Sequence, residues 1–285
     1  MGNISENIWV YDPVSDSYKK EEPPAEKIMR IIYGGRGESL VLSLIKRKAL
    51  SRAYGVFCAS PFSKNIIAKF GGDPSHYSCF ADFFTRKKEV FFPKNERLFA
   101  SPAEGCAFIY KINSDSVQTV KGSVYSVREL LGDYREAKKY ENGFALSVRL
   151  KPDNYHRLHF FDDGIITERK KIDGVLYSVS PMALESIARL YCANKREVLK
   201  FSSVNFGDCA LVLVGATFVG SIAHTHKIGD LSRRGDCMSY FLPGGSLIIC
   251  FFKKNILKFS DALIRESNLG YEYATEIGGV LGEIK

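Results

Sequence analysis

Ser246 stands directly after two glycines, Gly244 and Gly245, and ahead of the apolar run Leu247-Ile248-Ile249-Cys250-Phe251-Phe252. Glycines inside a stretch that otherwise reads as a buried strand mark a bulge, a sharp bend or a close backbone approach. One outcome is a bulged turn with no chemistry. The other is attack by the Ser246 hydroxyl on the Gly245 carbonyl beside it, which breaks the chain between the two residues. Such an attack needs a general base and a group to orient that base. Two of the five histidines, His156 and His159, fall within Lys151-Pro152-Asp153-Asn154-Tyr155-His156-Arg157-Leu158-His159. On a helix, residues three apart share a face and could share a metal; on a strand they point to opposite faces. Pro152 and Asp153-Asn154 favour a loop entering a strand, so the two imidazoles are expected to do different jobs. No third ligand stands at a recognisable spacing, and no metal is expected. The plain alternative is that each is a structural, hydrogen-bonded histidine. Ser246 has no Gly-x-Ser-x-Gly elbow, which disfavours a generic serine hydrolase.

The elements that must position these groups follow from the hydrophobic pattern. Strands are expected at 106–111, 117–120, 145–151, 157–161, 165–172, 175–179, 197–203, 208–222 and 247–252, with Asp173-Gly174 as a hairpin turn. Ile8-Trp9-Val10-Tyr11 and Asp12-Pro13 read as a strand and turn, and Glu21-Glu22-Pro23-Pro24 as a linker. A helix is expected after the capping box Ser126-Val127-Arg128-Glu129, and another from Ser180-Pro181 to about Cys192. From Glu26 to Phe70 apolar clusters recur at helical spacing, with a helix start at Ser60-Pro61 and a stop at Gly71-Gly72. The pattern predicts an α+β fold with a strand-rich, mainly antiparallel core and N-terminal amphipathic helices. It divides the chain into residues 1–72 and a β-rich body of residues 73–285.

The whole chain has 285 residues and a net charge of +8, and residues 26–70 hold nine basic residues against Glu26 and Glu38. That +7 suits an anionic membrane surface, where each nearby Lys or Arg is worth about 1 kcal/mol. The competing reading is an ordinary solvated face. No nucleic-acid motif accompanies the charge, so no nucleic-acid partner is expected. Gly34-Gly35-Arg36-Gly37 lacks the Gly-Lys-Ser/Thr of a phosphate loop. No secretory signal and no membrane-spanning apolar stretch are read. Seven scattered cysteines, never spaced Cys-x-x-Cys, favour reduced thiols.

Six short motifs occur in order: Phe83-Phe84-x-Arg86, Ser101-Pro102-x-x-Gly105, Lys121-Gly122-x-x-Tyr125, Pro152-x-x-Tyr155-His156-Arg157-x-His159, Val214-Gly215-Ala216-x-x-Val219-Gly220-Ser221-Ile222 and Gly244-Gly245-Ser246. Together they resemble the pyruvoyl-dependent phosphatidylserine decarboxylases, over residues from about Ile8 to Gly282, and most closely the bacterial branch cut at Gly-Gly-Ser-Thr. The resemblance implies self-cleavage between Gly245 and Ser246 by a triad in which His159 takes the Ser246 proton and Glu104 holds the imidazole. It implies that Ser246 becomes a covalent pyruvoyl group, which forms a Schiff base with phosphatidylserine and acts as electron sink while CO₂ departs. His156 would protonate the carbanion or position the carboxylate. The implied product is phosphatidylethanolamine. The two cleaved chains would stay together as a heterodimer, on the cytoplasmic side of the cell membrane as a peripheral protein, with the N-terminal helices facing the membrane. The sequence departs from the family at Glu104 (usually Asp), Asn154 (usually Asp) and Leu247 (usually Thr or Ser). Residues 234–239 keep only the first glycine and the basic charge of Lys-Gly-x-Glu-x-Gly. Asp at position 104 is expected to speed the cut if Glu104 aims the imidazole imperfectly. The runner-up is an uncleaved homologue that only binds anionic lipid through residues 26–70.

Overall fold

The computed structural model describes residues 8–21, 77, 80–113, 117–120, 123–151, 154–177, 179, 189–216, 222–242 and 246–285. The helices expected within 26–70, most of the one expected over 180–192, and Gly244 and Gly245 lie outside the described residues. In chain order the first strands are β1 (Ile8–Asp12), β2 (Ser17–Glu21), β3 (Leu98–Ala100), β4 (Gly105–Lys111), β5 (Val117–Val120), β6 (Ser123–Ser126), β7 (Phe144–Leu150), β8 (Arg157–His159) and β9 (Gly164–Ile172). There follow β10 (Arg196–Ser203), β11 (Gly207–Gly215), β12 (Ile222–His224), β13 (Leu231–Ser232), β14 (Cys237–Phe241), β15 (Ser246–Phe252), β16 (Leu257–Phe259), β17 (Glu272–Thr275) and β18 (Val280–Ile284). The described helices are short: α1 (Phe80–Phe84), α2 (Val127–Leu131), α3 (Tyr134–Lys138), α4 (Leu190–Ala193) and α5 (Asp261–Asn268).

A ten-stranded sheet in the order β13-β9-β10-β11-β15-β7-β4-β17-β1-β2 is the frame. Its pairs are antiparallel except β1 with β17. At its centre β15 is buried at every residue. Ile248, Cys250 and Phe252 enter one core with Leu158, Phe160 and Leu199. Leu247, Ile249 and Phe251 enter a second core with Leu130, Tyr140 and Tyr191. A strand covered on both faces reads as a continuous apolar run, and this one was legible for that reason. The same alternation puts the Leu247 side chain on the opposite face from the Ser246 hydroxyl. A smaller sheet, β12-β14-β8, carries the histidine segment.

Two expectations are corrected. Val175 makes a parallel bridge to Asn194, and β9 pairs with β10 and β13, so Asp173-Gly174 does not fold residues 175–179 back as a hairpin. Ser126 is the N-cap of α2 but makes no side-chain cap bond, and Glu129 pairs with Arg189 instead. The capping side chain in this region is Asp133, which accepts from the backbone N–H groups of Arg135 and Glu136 at the start of α3. The first hairpin packs with the later strands: β1 pairs with β17, and the Tyr18 hydroxyl donates to the buried Glu266. Among the described residues no helix is long and apolar enough to cross a membrane.

Candidate active site

Ser246 opens β15, in register with Gly215 of β11 on one side and Leu150 of β7 on the other, and is fully buried. Its hydroxyl lies 2.9 Å from Nδ1 of His156, a residue 90 positions earlier that immediately precedes β8. The other ring nitrogen, Nε2, lies 3.0 Å from the Lys151 carbonyl. A carbonyl only accepts, so Nε2 carries the proton and Nδ1 presents its lone pair to the Ser246 O–H. The ring of Phe84, at the end of α1, stacks on His156 with centroids 3.9 Å apart. Arg157 fixes that helix end: its guanidinium donates to the carbonyls of Thr85 (2.6 Å) and Arg86 (3.1 Å) and lies over the Tyr240 ring. The Phe83-Phe84-x-Arg86 motif was visible in the sequence without a role; here its second Phe supports the imidazole that meets the Ser246 hydroxyl.

His159 has separate partners. Its Nδ1–H donates to the Gly235 carbonyl at 2.7 Å, and its Nε2 faces the Tyr155 hydroxyl at 3.4 Å. Its backbone N–H is held by Pro102 of the Ser101-Pro102-x-x-Gly105 loop. Gly235 has φ +86°, a conformation that L side chains rarely adopt, which accounts for the glycine retained within the altered 234–239 stretch. In Ser101-Pro102-x-x-Gly105 the glycine has a steric reason: a Cβ on Gly105 would lie 2.4 Å from the Arg149 carbonyl oxygen. Burial holds His159 below the ordinary imidazole value of 6.5; its hydrogen bond to Gly235 opposes the shift and the Arg157 charge adds to it. An unfolded ring is half protonated near pH 6.5, where the folded ring is mostly the neutral base. A step that uses neutral His159 should therefore keep more than half of its plateau rate at pH 6.5 and reach its midpoint below that. Following the appearance of the small chain against pH checks this, and a rate already halved at pH 6.5 contradicts it.

Glu104 is not on His159. One carboxylate oxygen pairs with Lys88, and the other accepts from the Asn154 amide at 3.1 Å. The direct Glu104–His159–Ser246 line expected from the resemblance is thus not assembled: His156 is on Ser246, and the Gly235 carbonyl is on His159 Nδ1. Of the four expected side chains, the structure brings His156 and Ser246 into contact, with His159 at the end of β8 and Glu104 in the loop before β4. Sequence reasoning gave no role to Phe84, Arg157, Lys88 or Asn154.

The same segments are matched in known proteins. A profile of the phosphatidylserine decarboxylase family matches residues 77–278, a span that contains Glu104, His156, His159 and Ser246. The chain belongs to this family. Similar relatives are phosphatidylserine decarboxylase proenzymes of clostridia. That of Clostridium botulinum (strain Kyoto / Type A2) is 40% identical over 294 residues, covering 98% of this chain and 100% of the relative. That of Clostridium tetani is 36% identical and covers 97% of this chain and 98% of the relative. That of Clostridium perfringens (strain SM101 / Type A) is 36% identical and covers 96% and 99%. As a phosphatidylserine decarboxylase family member the chain is a carboxy-lyase, and its departures at 104, 154 and 247 sit within an alignment that runs through the whole protein.

Proposed function

We propose that this protein is a self-cleaving phosphatidylserine decarboxylase that yields phosphatidylethanolamine. The observation that carries the proposal is the buried Ser246 hydroxyl, placed 2.9 Å from an imidazole directly after Gly245. In the cut, Ser246 Oγ attacks the Gly245 carbonyl carbon, the peptide C–N bond breaks, and an ester joins the two residues. Removal of the Cα proton of residue 246 then forms the Cα=Cβ bond, breaks the Cβ–O bond, frees the Gly245 carboxylate and leaves a dehydroalanine. Hydrolysis of that residue releases ammonia and leaves a pyruvoyl N-terminus on residues 246–285. The residues present fit such a group: position 246 is buried, with an imidazole on one side. When formed, a pyruvoyl supplies an electron sink for the carbanion left by CO₂ loss.

Two imidazoles are available. The reading we favour gives the cut to His159, whose burial keeps it neutral and whose Nδ1–H is fixed by Gly235, leaving the Nε2 lone pair for a proton. It gives decarboxylation to His156, whose ring lies against residue 246, where the pyruvoyl group would form. A second reading rests on the same 2.9 Å contact and assigns both steps to His156.

The strand order supports a lasting heterodimer after the cut. β15 belongs to the small chain yet lies between β11 and β7 of the large one, and β17 lies between β4 and β1. A buried ion pair, Arg149 with Glu272, also joins the two pieces. Removing one partner of such a pair costs about 3–5 kcal/mol.

Residues 26–70 supply the proposed membrane face and make the protein peripheral on the cytoplasmic, anionic leaflet. The test of the activity is CO₂ release from phosphatidylserine vesicles with phosphatidylethanolamine as product. Binding to those vesicles should weaken steeply as salt rises and weaken further on charge reversal at Lys46, Arg47 and Lys48. Vesicles that yield no CO₂ contradict the activity, and salt-independent binding contradicts the basic face.

A further inference from the structure

The two places where the sequence departs from the family beside the histidines, Glu104 and Asn154, are in contact. Asn154 Nδ2 donates to Glu104 Oε1 at 3.1 Å, while Asn154 Oδ1 accepts from the Lys151 N–H at 2.8 Å. The Asn154 backbone N–H returns a bond to the Lys151 carbonyl at 2.9 Å, so Lys151 and Asn154 are joined twice. That same carbonyl accepts from His156 Nε2 at 3.0 Å, and His156 Nδ1 takes the Ser246 hydroxyl at 2.9 Å. Carboxylate, amide, peptide, imidazole and hydroxyl thus form one unbroken line from Glu104 to Ser246. Lys88 closes its outer end, its ammonium on the second Glu104 oxygen and over the Tyr155 ring.

We propose that Asn154 is a positioning residue for the chemistry at residue 246, and that Glu104 acts through it on His156 rather than directly on His159. The inference rests on the decarboxylase reading above. The chemistry of the pair is what recommends it. An amide offers a donor to the carboxylate and an acceptor to the Lys151 N–H at once, whereas an Asp at 154 offers acceptors only. Two carboxylates there would face each other with Lys88 as the cation between them, and repulsion would drive one to hold a proton or swing away. Either response breaks the join between Lys151 and Asn154 and releases the Lys151 carbonyl that sets the tautomer and aim of His156. The extra methylene of Glu104 gives the reach to Asn154, so the two departures compensate each other. Glu104→Asp is accordingly expected to slow the reaction, reversing the expectation drawn from the sequence.

The test uses the full-length protein and reads decarboxylation per pyruvoyl end, with the rate of the cut as a second readout. Asn154→Asp should lower kcat by roughly 10- to 100-fold with KM little changed, the loss typical of misaimed catalytic groups supported from a second layer. Glu104→Gln keeps an acceptor oxygen for Asn154 and should stay within about 5-fold of wild type, far from the ~10⁴-fold loss on converting a direct triad acid to its amide. The exchange Glu104→Gln with Asn154→Asp restores a donor–acceptor pair and should recover most of what Asn154→Asp alone loses, which mere loss of folding stability would not produce. A 10⁴-fold loss in Glu104→Gln, or an exchanged pair no better than Asn154→Asp, overturns the proposal. An uncut wild-type chain with no CO₂ release overturns the decarboxylase reading itself, so the two failures are distinct.

Discussion

His159→Ala should leave the chain uncut, while His156→Ala should cut and then release little CO₂ from phosphatidylserine. Each ring has its own fixed partners, Gly235 for one and Lys151 and Ser246 for the other, so removing either leaves the other in place. Loss of the base that activates a serine removes most of the acceleration, on the order of 10⁴-fold or more, and a cut slowed that far does not appear during purification. Loss of a proton donor at the decarboxylation step costs about 10²- to 10⁴-fold. Separate electrophoresis and CO₂ measurements on the two variants check the division. If His156→Ala blocks the cut and His159→Ala matures normally, the 2.9 Å contact seen in the precursor is the operative one and His156 performs both steps.

The other large effect is at the nucleophile. Ser246→Ala should give no small chain at any incubation time. Alanine fills nearly the same space in the fully buried start of β15 and keeps its backbone pairing with β11 and β7, so the fold survives. The change leaves His156 Nδ1 without its hydroxyl, a cost of about 1–3 kcal/mol for a buried polar group. That is small beside total loss of the attacking atom. A folded Ser246→Ala protein that still yields a fragment near residue 246 contradicts the assignment of the nucleophile.

Much of the frame was legible because burial on both faces writes a continuous apolar run, as in β15, or because strands were long, as in β10 and β11. Short strands that carry buried charge were not. β17 reads Glu-Tyr-Ala-Thr, and its Glu272 looks like a surface residue until Arg149 is seen opposite it. β14 was hidden in the altered 234–239 stretch, whose role is to pair with β8 and place the Gly235 carbonyl on His159. Helix α5 carried a readable start, Ser260 accepting from the Leu263 N–H, but lay beyond the region where the motifs drew attention. At the site, residue identities were legible and pairings were not. Ser246, His156, His159 and Glu104 stood out by type and motif. Which imidazole meets the hydroxyl, and that Glu104 meets Asn154 across 50 positions, depends on the bonds between Lys151 and Asn154 and on the turn at 233–236, which spacing alone does not determine. The departures at 104 and 154 looked independent in the sequence and are joined in space.

The central claim is that the bond between Gly245 and Ser246 breaks in the protein's own fold. Intact-mass measurement of the purified wild-type protein under denaturing conditions tests it most directly. The account predicts two chains, residues 1–245 and residues 246–285, the smaller one lacking a free amino terminus and carrying the mass of a pyruvoyl group in place of serine. A single mass for the unbroken 285-residue chain contradicts it.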